Sequence, residues 1–141
     1  MSFKATRLAL PLLFTLGLFT AAGCGPKPIE FGGSARTAGV DGKIEWKKLS
    51  ADTRLVKTSF KFLPPPNRIH EAATVYVLWF IPENAPATKA GTLVYDPNSR
   101  KGHLEATTAV SRFEVLLTAE RVNTVGGPSE HVIARKKVVL E

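Results

Sequence analysis

The chain has 141 residues, of which 44% are hydrophobic, and nineteen Lys and Arg against twelve Asp and Glu give a formal net charge of +7. One domain with a single hydrophobic core fits this length, and the single cysteine excludes a disulfide within the chain. The basic residues are dispersed and do not alternate with aromatic ones, so nucleic acid is not an expected partner.

Residues 1–23 have the layout of a secretory signal. Lys4 and Arg7 supply positive charge, and residues 8–23 carry none. A membrane-spanning helix usually needs ~20 apolar residues, and Pro11 weakens this segment further as a helix. We therefore predict that residues 1–23 are an export signal that is removed.

The signal ends in Ala21-Ala22-Gly23-Cys24, which resembles the lipobox of bacterial lipoproteins. The resemblance implies cleavage between Gly23 and Cys24, a diacylglycerol thioether on the Cys24 thiol, and acylation of the new amine by a chain such as palmitate. It also implies the outer membrane, because Gly25 rather than aspartate follows the cysteine. Several acyl chains at ~0.8 kcal/mol per buried CH₂ make such attachment permanent. The alternative is an ordinary buried or unpaired cysteine.

Residues 24–42 are rich in Gly and Pro and show little periodicity, which predicts a flexible tether behind the lipidated cysteine. About 15 residues of flexible coil span ~20 Å in root-mean-square terms. The expected folded domain is therefore 43–141.

From Lys43 onward, apolar residues recur at every second position. The first two predicted strands place on their buried faces Ile44 and Trp46, then Val56, Thr58, Phe60 and Phe62. Pro64, Pro65 and Pro66 cannot donate to a strand ladder, so the chain must leave the sheet there.

The segment Thr74–Ile81 is apolar at both parities, which predicts a central strand covered on both faces. Periodicity leaves open whether Val77 and Trp79, or Tyr76 and Leu78, form the core. Turn chemistry is expected at Pro82–Gly91 and at Asp96–Ser99. Four further strands are predicted: Thr92–Asp96, His103–Thr108, Arg112–Glu120 and His131–Leu140. Seven short strands separated by turns predict an all-β fold, an antiparallel β-sandwich of immunoglobulin-like size.

An ordered series of short motifs resembles the extracytoplasmic β-sandwich domain of anti-sigma-K factors. The series is Tyr76-Val77-Leu78-Trp79, Ala90-Gly91-Thr92-Leu93, Phe113-Glu114-Val115 with Thr118-Ala119-Glu120, Gly126-Gly127-Pro128-Ser129, and Val138-Val139-Leu140. The resemblance covers about residues 74–140 and implies an envelope sensory module. It does not extend to the cytoplasmic sigma-binding domain of that family.

Motifs for catalysis or metal binding are not evident. His70, His103 and His131 fall in separate predicted elements without ligand spacing, so no metal site or cofactor is expected. Asp96 and Asn98 fit a turn better than a calcium loop, because Arg100 and Lys101 follow them. We expect no enzyme activity. A catalytic pair of carboxylates would require the fold to bring together two of four glutamates: Glu71, Glu83, Glu105 and Glu120.

The leading hypothesis is a non-catalytic structural or protein-interaction lipoprotein whose exposed edge strand, His131–Leu140, accepts a partner strand. The alternative is a ligand-binding sensor for an anionic glycan or lipid headgroup. Its candidate contacts are Arg68, Arg112, Lys136 and Lys137. A solvated surface explains the same positive charge without any ligand. A hydrolase is the third hypothesis.

Overall fold

The computed structural model describes residues 25–141, so the predicted signal and Cys24 lie outside the described residues. The described chain forms nine strands and two short 3₁₀ turns, Ala35–Thr37 and Pro66–Arg68. The strands are β1 Ile29–Gly32, β2 Asp41–Lys48, β3 Arg54–Lys61, β4 Val75–Pro82, β5 Thr88–Thr92, β6 Val94–Asp96, β7 Lys101–Thr108, β8 Arg112–Glu120 and β9 Val132–Val139. Within this part of the chain, no helix is long and apolar enough to cross a membrane.

The strands form two sheets in which every pairing is antiparallel. Sheet A has the order β1-β2-β3-β7-β6 and sheet B has the order β5-β4-β8-β9. The predicted antiparallel β-sandwich is confirmed, and β1 and β5 are added to the seven expected strands.

The main core lies between the sheets. Side chains at alternate positions of β2, β3, β4 and β8 fill it, including Ile44, Phe60, Tyr76, Leu78, Val115 and Leu117. These residues face inward because successive side chains of a strand point to opposite faces.

The outer face of sheet B holds a second apolar cluster. Val77, Trp79 and Leu116 are buried there beneath loop residues that include Ala87 and Val125. Both parities of β4 are therefore buried, one in each cluster. The central position predicted for this strand is confirmed.

The segment expected as a tether contains part of the sheet. Ile29–Gly32 pairs with β2, and the ring of Phe31 packs edge-on against Phe60 with centroids 5.8 Å apart. Gly42 leaves space for that ring, because a Cβ at this position would lie 2.6 Å from Phe31 Cζ. The folded domain thus begins at Ile29, and only residues 25–28 separate it from Cys24.

The region expected as a turn at Pro82–Gly91 also contains a strand. Thr88–Thr92 pairs with β4, and the pairing shifts register between Leu78 and Trp79, which leaves Ala90 as the extra residue of a bulge. The chain then passes through buried Leu93 from sheet B into β6 of sheet A. This crossing closes one side of the sandwich.

The loops lie at two ends of the sandwich, which we call the basal end and the distal end. The basal end comprises residues 25–28, 49–53, 83–87, 109–111 and 140–141. The distal end comprises residues 33–40, 62–74, 97–100 and 121–131. The described chain enters the fold at the basal end, through residues 25–28.

Candidate functional site

Phe62 points out of the distal end, opposite to its predicted orientation. The alternation of β3 predicts Phe62 on the buried face with Phe60, yet 54% of Phe62 is exposed and Leu63 is fully buried in its place. The reversal occurs because Phe62 adopts a left-handed backbone conformation with φ 61°. Gly102 makes room for the inserted side chain, since a Cβ there would lie 3.0 Å from Leu63 Cδ1.

The backbone that follows Phe62 is held at three successive carbonyls. Arg100 donates from Nη2 to the Phe62 carbonyl at 2.9 Å and from Nε to the Leu63 carbonyl at 3.2 Å. The Tyr95 hydroxyl also donates to the Leu63 carbonyl at 3.0 Å, and the Tyr76 hydroxyl donates to the Pro64 carbonyl. A bulky residue with positive φ costs ~1–3 kcal/mol and persists where the surroundings fix it, as they do here.

Arg100 reaches these carbonyls from the turn between β6 and β7. It too has a positive φ, 54°, and its own carbonyl accepts the Leu63 N–H at 3.0 Å. The Asp96 carboxylate closes the turn by accepting from the Asn98 N–H at 3.0 Å and the Ser99 hydroxyl at 2.6 Å. These hydrogen bonds, that of Ser99 above all, lower the pKa of Asp96.

The two tyrosines support the Phe62 segment from beneath. Their rings pack edge to face with centroids 5.4 Å apart. Burial raises the pKa of Tyr76 far above the usual tyrosine range, against the opposing effect of Arg100, and burial also raises the pKa of Tyr95. Both hydroxyls therefore remain protonated donors to the backbone at neutral pH.

A groove of about 350 Å³ lies beside the exposed ring. Its walls include Arg36, Gly39, Phe62, Pro64 and Arg100. Arg36 is exposed and makes no ion pair within the described part of the chain. An aromatic ring beside arginines is the combination enriched at protein interfaces and among their energetically dominant residues.

The four predicted ligand contacts do not converge on one site. Arg68 ends a 3₁₀ turn at the distal end, whereas Arg112 begins β8 at the basal end. Lys136 and Lys137 are successive residues of β9 and so point to opposite faces. Only Arg112 and Lys137 are close among the four, as diagonal neighbours on the face that carries Glu114.

The predicted acceptor edge of β9 is partly occupied. The Ile133 carbonyl accepts from the Ser34 N–H at 2.7 Å and from the Thr37 hydroxyl at 2.6 Å. Lys136 shares its parity with buried Val138 and therefore points inward, a placement by which natural sheet edges discourage added strands. The geometry thus favours the surface around Phe62, rather than this edge, as the candidate site for a protein partner.

Two of the three histidines meet although they belong to distant parts of the sequence. His70 and His131 stack with ring centroids 4.4 Å apart at the distal end, while His103 lies on β7. Across residues 25–141, no group of three or more His, Cys, Asp or Glu side chains is placed to hold a metal ion.

The considered glutamates occupy different environments. Glu105 pairs with Lys57 at 2.6 Å on sheet A, and this hydrogen bond lowers the pKa of Glu105. Glu120 is buried on sheet B, where it accepts from the Thr118 hydroxyl at 2.6 Å and the Ser129 N–H at 2.8 Å. These contacts fix the loop 121–130 against sheet B.

Comparison of the chain with protein-family models, curated proteins and solved structures finds no match. The resemblances to lipoproteins and to anti-sigma-K factors therefore remain predictions from the sequence.

Sequence reasoning missed Phe62 as an exposed residue and gave Arg36 no role. The local pattern of β3 contains no sign of the reversal, because the residue that fixes it, Arg100, is 38 positions away. The adjacent proline run was the available signal, since it marks the point where the strand must end.

Proposed function

We propose that this protein is a lipid-anchored lipoprotein of the bacterial cell envelope, at the outer membrane, that binds another envelope protein and is not an enzyme. The observation that carries the proposal is the exposed, backbone-constrained Phe62 at the distal end, opposite residues 25–28. The lipobox-like Ala21-Ala22-Gly23-Cys24 supports the anchor.

The short connection to the anchor supports this orientation. Five Cα–Cα steps join Cys24 to Ile29, a distance of at most ~18 Å when fully extended. A lipid on Cys24 therefore holds the basal end near the bilayer and leaves the distal end directed away from it. In this orientation Phe62 is accessible to a protein partner on the side away from the bilayer.

The constrained backbone supports recognition of a protein surface. An anchor residue that is already ordered loses little conformational entropy on binding, and this increases affinity. Phe62 supplies an aromatic side chain for a pocket in the partner, and Arg36 supplies an adjacent cation for a carboxylate or carbonyl at the rim.

Chemical cross-linking in living cells tests the proposal, with wild type, Cys24→Ala, Phe62→Ala and Val94→Ala compared. Val94 is a matched control, because it is 62% exposed on β6 and outside the site. We expect one dominant protein adduct that Phe62→Ala removes, Val94→Ala retains, and Cys24→Ala loses together with membrane attachment. An adduct that is equally abundant in the Phe62→Ala variant contradicts the proposed surface.

A ligand-binding sensor is the second candidate, favoured by the groove between Arg36 and Arg100. An anionic headgroup or glycan there should stabilise the fold by ~2.7 kcal/mol at a hundred times its dissociation constant. Thermal unfolding of wild type and Arg36→Ala with envelope phospholipids and glycans measures this. A stabilisation that is the same in both proteins, or absent from both, contradicts the sensor hypothesis.

A further inference from the structure

The basal end carries a second surface whose chemistry differs from that around Phe62. A groove of about 590 Å³ opens there between β2 and the end of β9. Ile29, Trp46 and Val139 form its apolar part, and Lys27, Lys47 and Lys48 provide its positive charge. Glu141 also lines the groove, so basic residues exceed acidic ones three to one along its walls.

Apolar side chains at the loop tips extend this surface. Leu49, in the turn after β2, is 52% exposed, and Val139 is 50% exposed. Exposed apolar residues beside lysines, with a partly buried tryptophan in the same groove, are a composition found where proteins contact the interface of a bilayer.

The position of the predicted anchor indicates what covers the surface. Pro26 lines the groove and is two residues after Cys24, so their Cα atoms lie within ~8 Å of each other. The headgroup layer on each side of a bilayer is ~5–8 Å thick. An acyl chain inserted through Cys24 therefore brings the groove to the headgroups.

We propose that the basal end lies on anionic phospholipid, with Lys27, Lys47 and Lys48 at the phosphates and Trp46 at the interface. This inference rests on the lipid anchor of the proposed function. It adds a defined orientation. The lysines attract a negatively charged surface, and the exposed apolar residues of the basal end can enter that surface only when this end faces it.

Tryptophan fluorescence measures the contact directly, because the two tryptophans differ in location. Trp46 lines the basal groove, whereas Trp79 is 1% exposed beneath the loops of sheet B. The lipidated protein is purified from membranes and reconstituted into vesicles of brominated phosphatidylglycerol or brominated phosphatidylcholine. We expect greater loss of emission with phosphatidylglycerol, and Trp46→Phe should abolish that loss.

Charge reversal tests the role of the lysines. Lys47→Glu with Lys48→Glu should reduce the quenching in phosphatidylglycerol to the level seen in phosphatidylcholine. The matched control is Lys61→Glu with Lys101→Glu, the same charge change on exposed strand residues near the distal end. The control should retain full quenching. Thermal unfolding checks that each variant is folded, because the two control lysines lie opposite aspartates on neighbouring strands and their reversal loses that charge pairing.

The results separate the orientation from the anchor. Protein that carries acyl mass and floats with the vesicles, but shows unquenched Trp46 or equal quenching in both lipids, overturns the orientation alone. Protein without acyl mass that does not float overturns the anchor and the orientation with it. A photo-reactive residue at position 49 that captures protein instead of lipid also overturns the orientation.

Discussion

The two ends of the sandwich both expose large apolar side chains, but they hold them differently. At the distal end, Phe62 stands on a backbone fixed by hydrogen bonds at three consecutive carbonyls. At the basal end, Leu49 occupies a turn in which its N–H bonds the Thr53 carbonyl at 2.9 Å, and its φ is not positive. A fixed direction suits recognition of a shaped protein pocket, whereas burial in lipid requires no single direction.

The largest expected difference between the ends concerns leucine side chains. Leu63→Ala should lower the free energy of unfolding by about 2–5 kcal/mol, because Leu63 is fully buried and its loss leaves a cavity. Leu49→Ala should change it by less than about 0.5 kcal/mol, because the side chain is exposed. Urea titration of both variants measures the contrast, and equal effects would show that the distal end is not specially packed.

The next effect separates the two tyrosines. Tyr76→Phe should cost about 1–3 kcal/mol, because the Pro64 carbonyl loses the side-chain hydroxyl that donates to it. Tyr95→Phe should cost less, about 0.5–1.5 kcal/mol, because Arg100 still donates to the Leu63 carbonyl. The two variants are compared by denaturant unfolding. The opposite order would contradict the described hydrogen-bond arrangement.

A smaller effect of opposite sign is expected at Phe62. Phe62→Gly should stabilise the fold by about 0.5–1 kcal/mol, since relief of the left-handed strain exceeds the entropy that glycine adds to the unfolded chain. Leu49→Gly offers no such relief and should not stabilise. The same Phe62→Gly variant should lose its cross-linked partner. Greater stability with retained binding would contradict a role of the Phe62 side chain in binding.

Alkaline pH should lower the free energy of unfolding through the two tyrosines of the distal end. The pKa values of Tyr76 and Tyr95 are raised in the fold, so the unfolded chain releases these protons first as pH rises past the ordinary tyrosine value of about 10. The tyrosine contribution to stability is thus present below that pH and declines above it. The free energy of unfolding, measured across this pH range, should fall less steeply in Tyr76→Phe than in the wild type. Parallel curves would contradict the stabilising role of the Tyr76 hydroxyl.

The sequence predicted those parts of the fold that depend on local alternation. β8 matches its expected bounds of Arg112–Glu120, and β4 is central because its apolar residues occupy both parities. Composition led to a wrong prediction at β1, where Gly and Pro conceal the alternation of Ile29 and Phe31. Such a short strand becomes recognisable only through its partner β2.

The candidate site could not be predicted from the local sequence pattern, for a related reason. The orientation of Phe62 depends on hydrogen bonds from Arg100 and on support from Tyr76 and Tyr95, none of them neighbours in sequence. Likewise, the four basic residues predicted as ligand contacts share only their charge, and the fold distributes them over both ends of the sandwich and both faces of β9. Residue type predicts chemistry, but the long-range pairing decides where that chemistry is gathered.

We propose above all that the distal end binds a protein partner and that Phe62 makes the contact. Benzoylphenylalanine placed at position 62, or separately at exposed Leu49 or Val94, tests it by photo-cross-linking in intact cells. The account predicts a single protein adduct from position 62, lipid adducts from position 49, and neither from position 94. A protein adduct from position 94 or 49 with none from position 62 would contradict it.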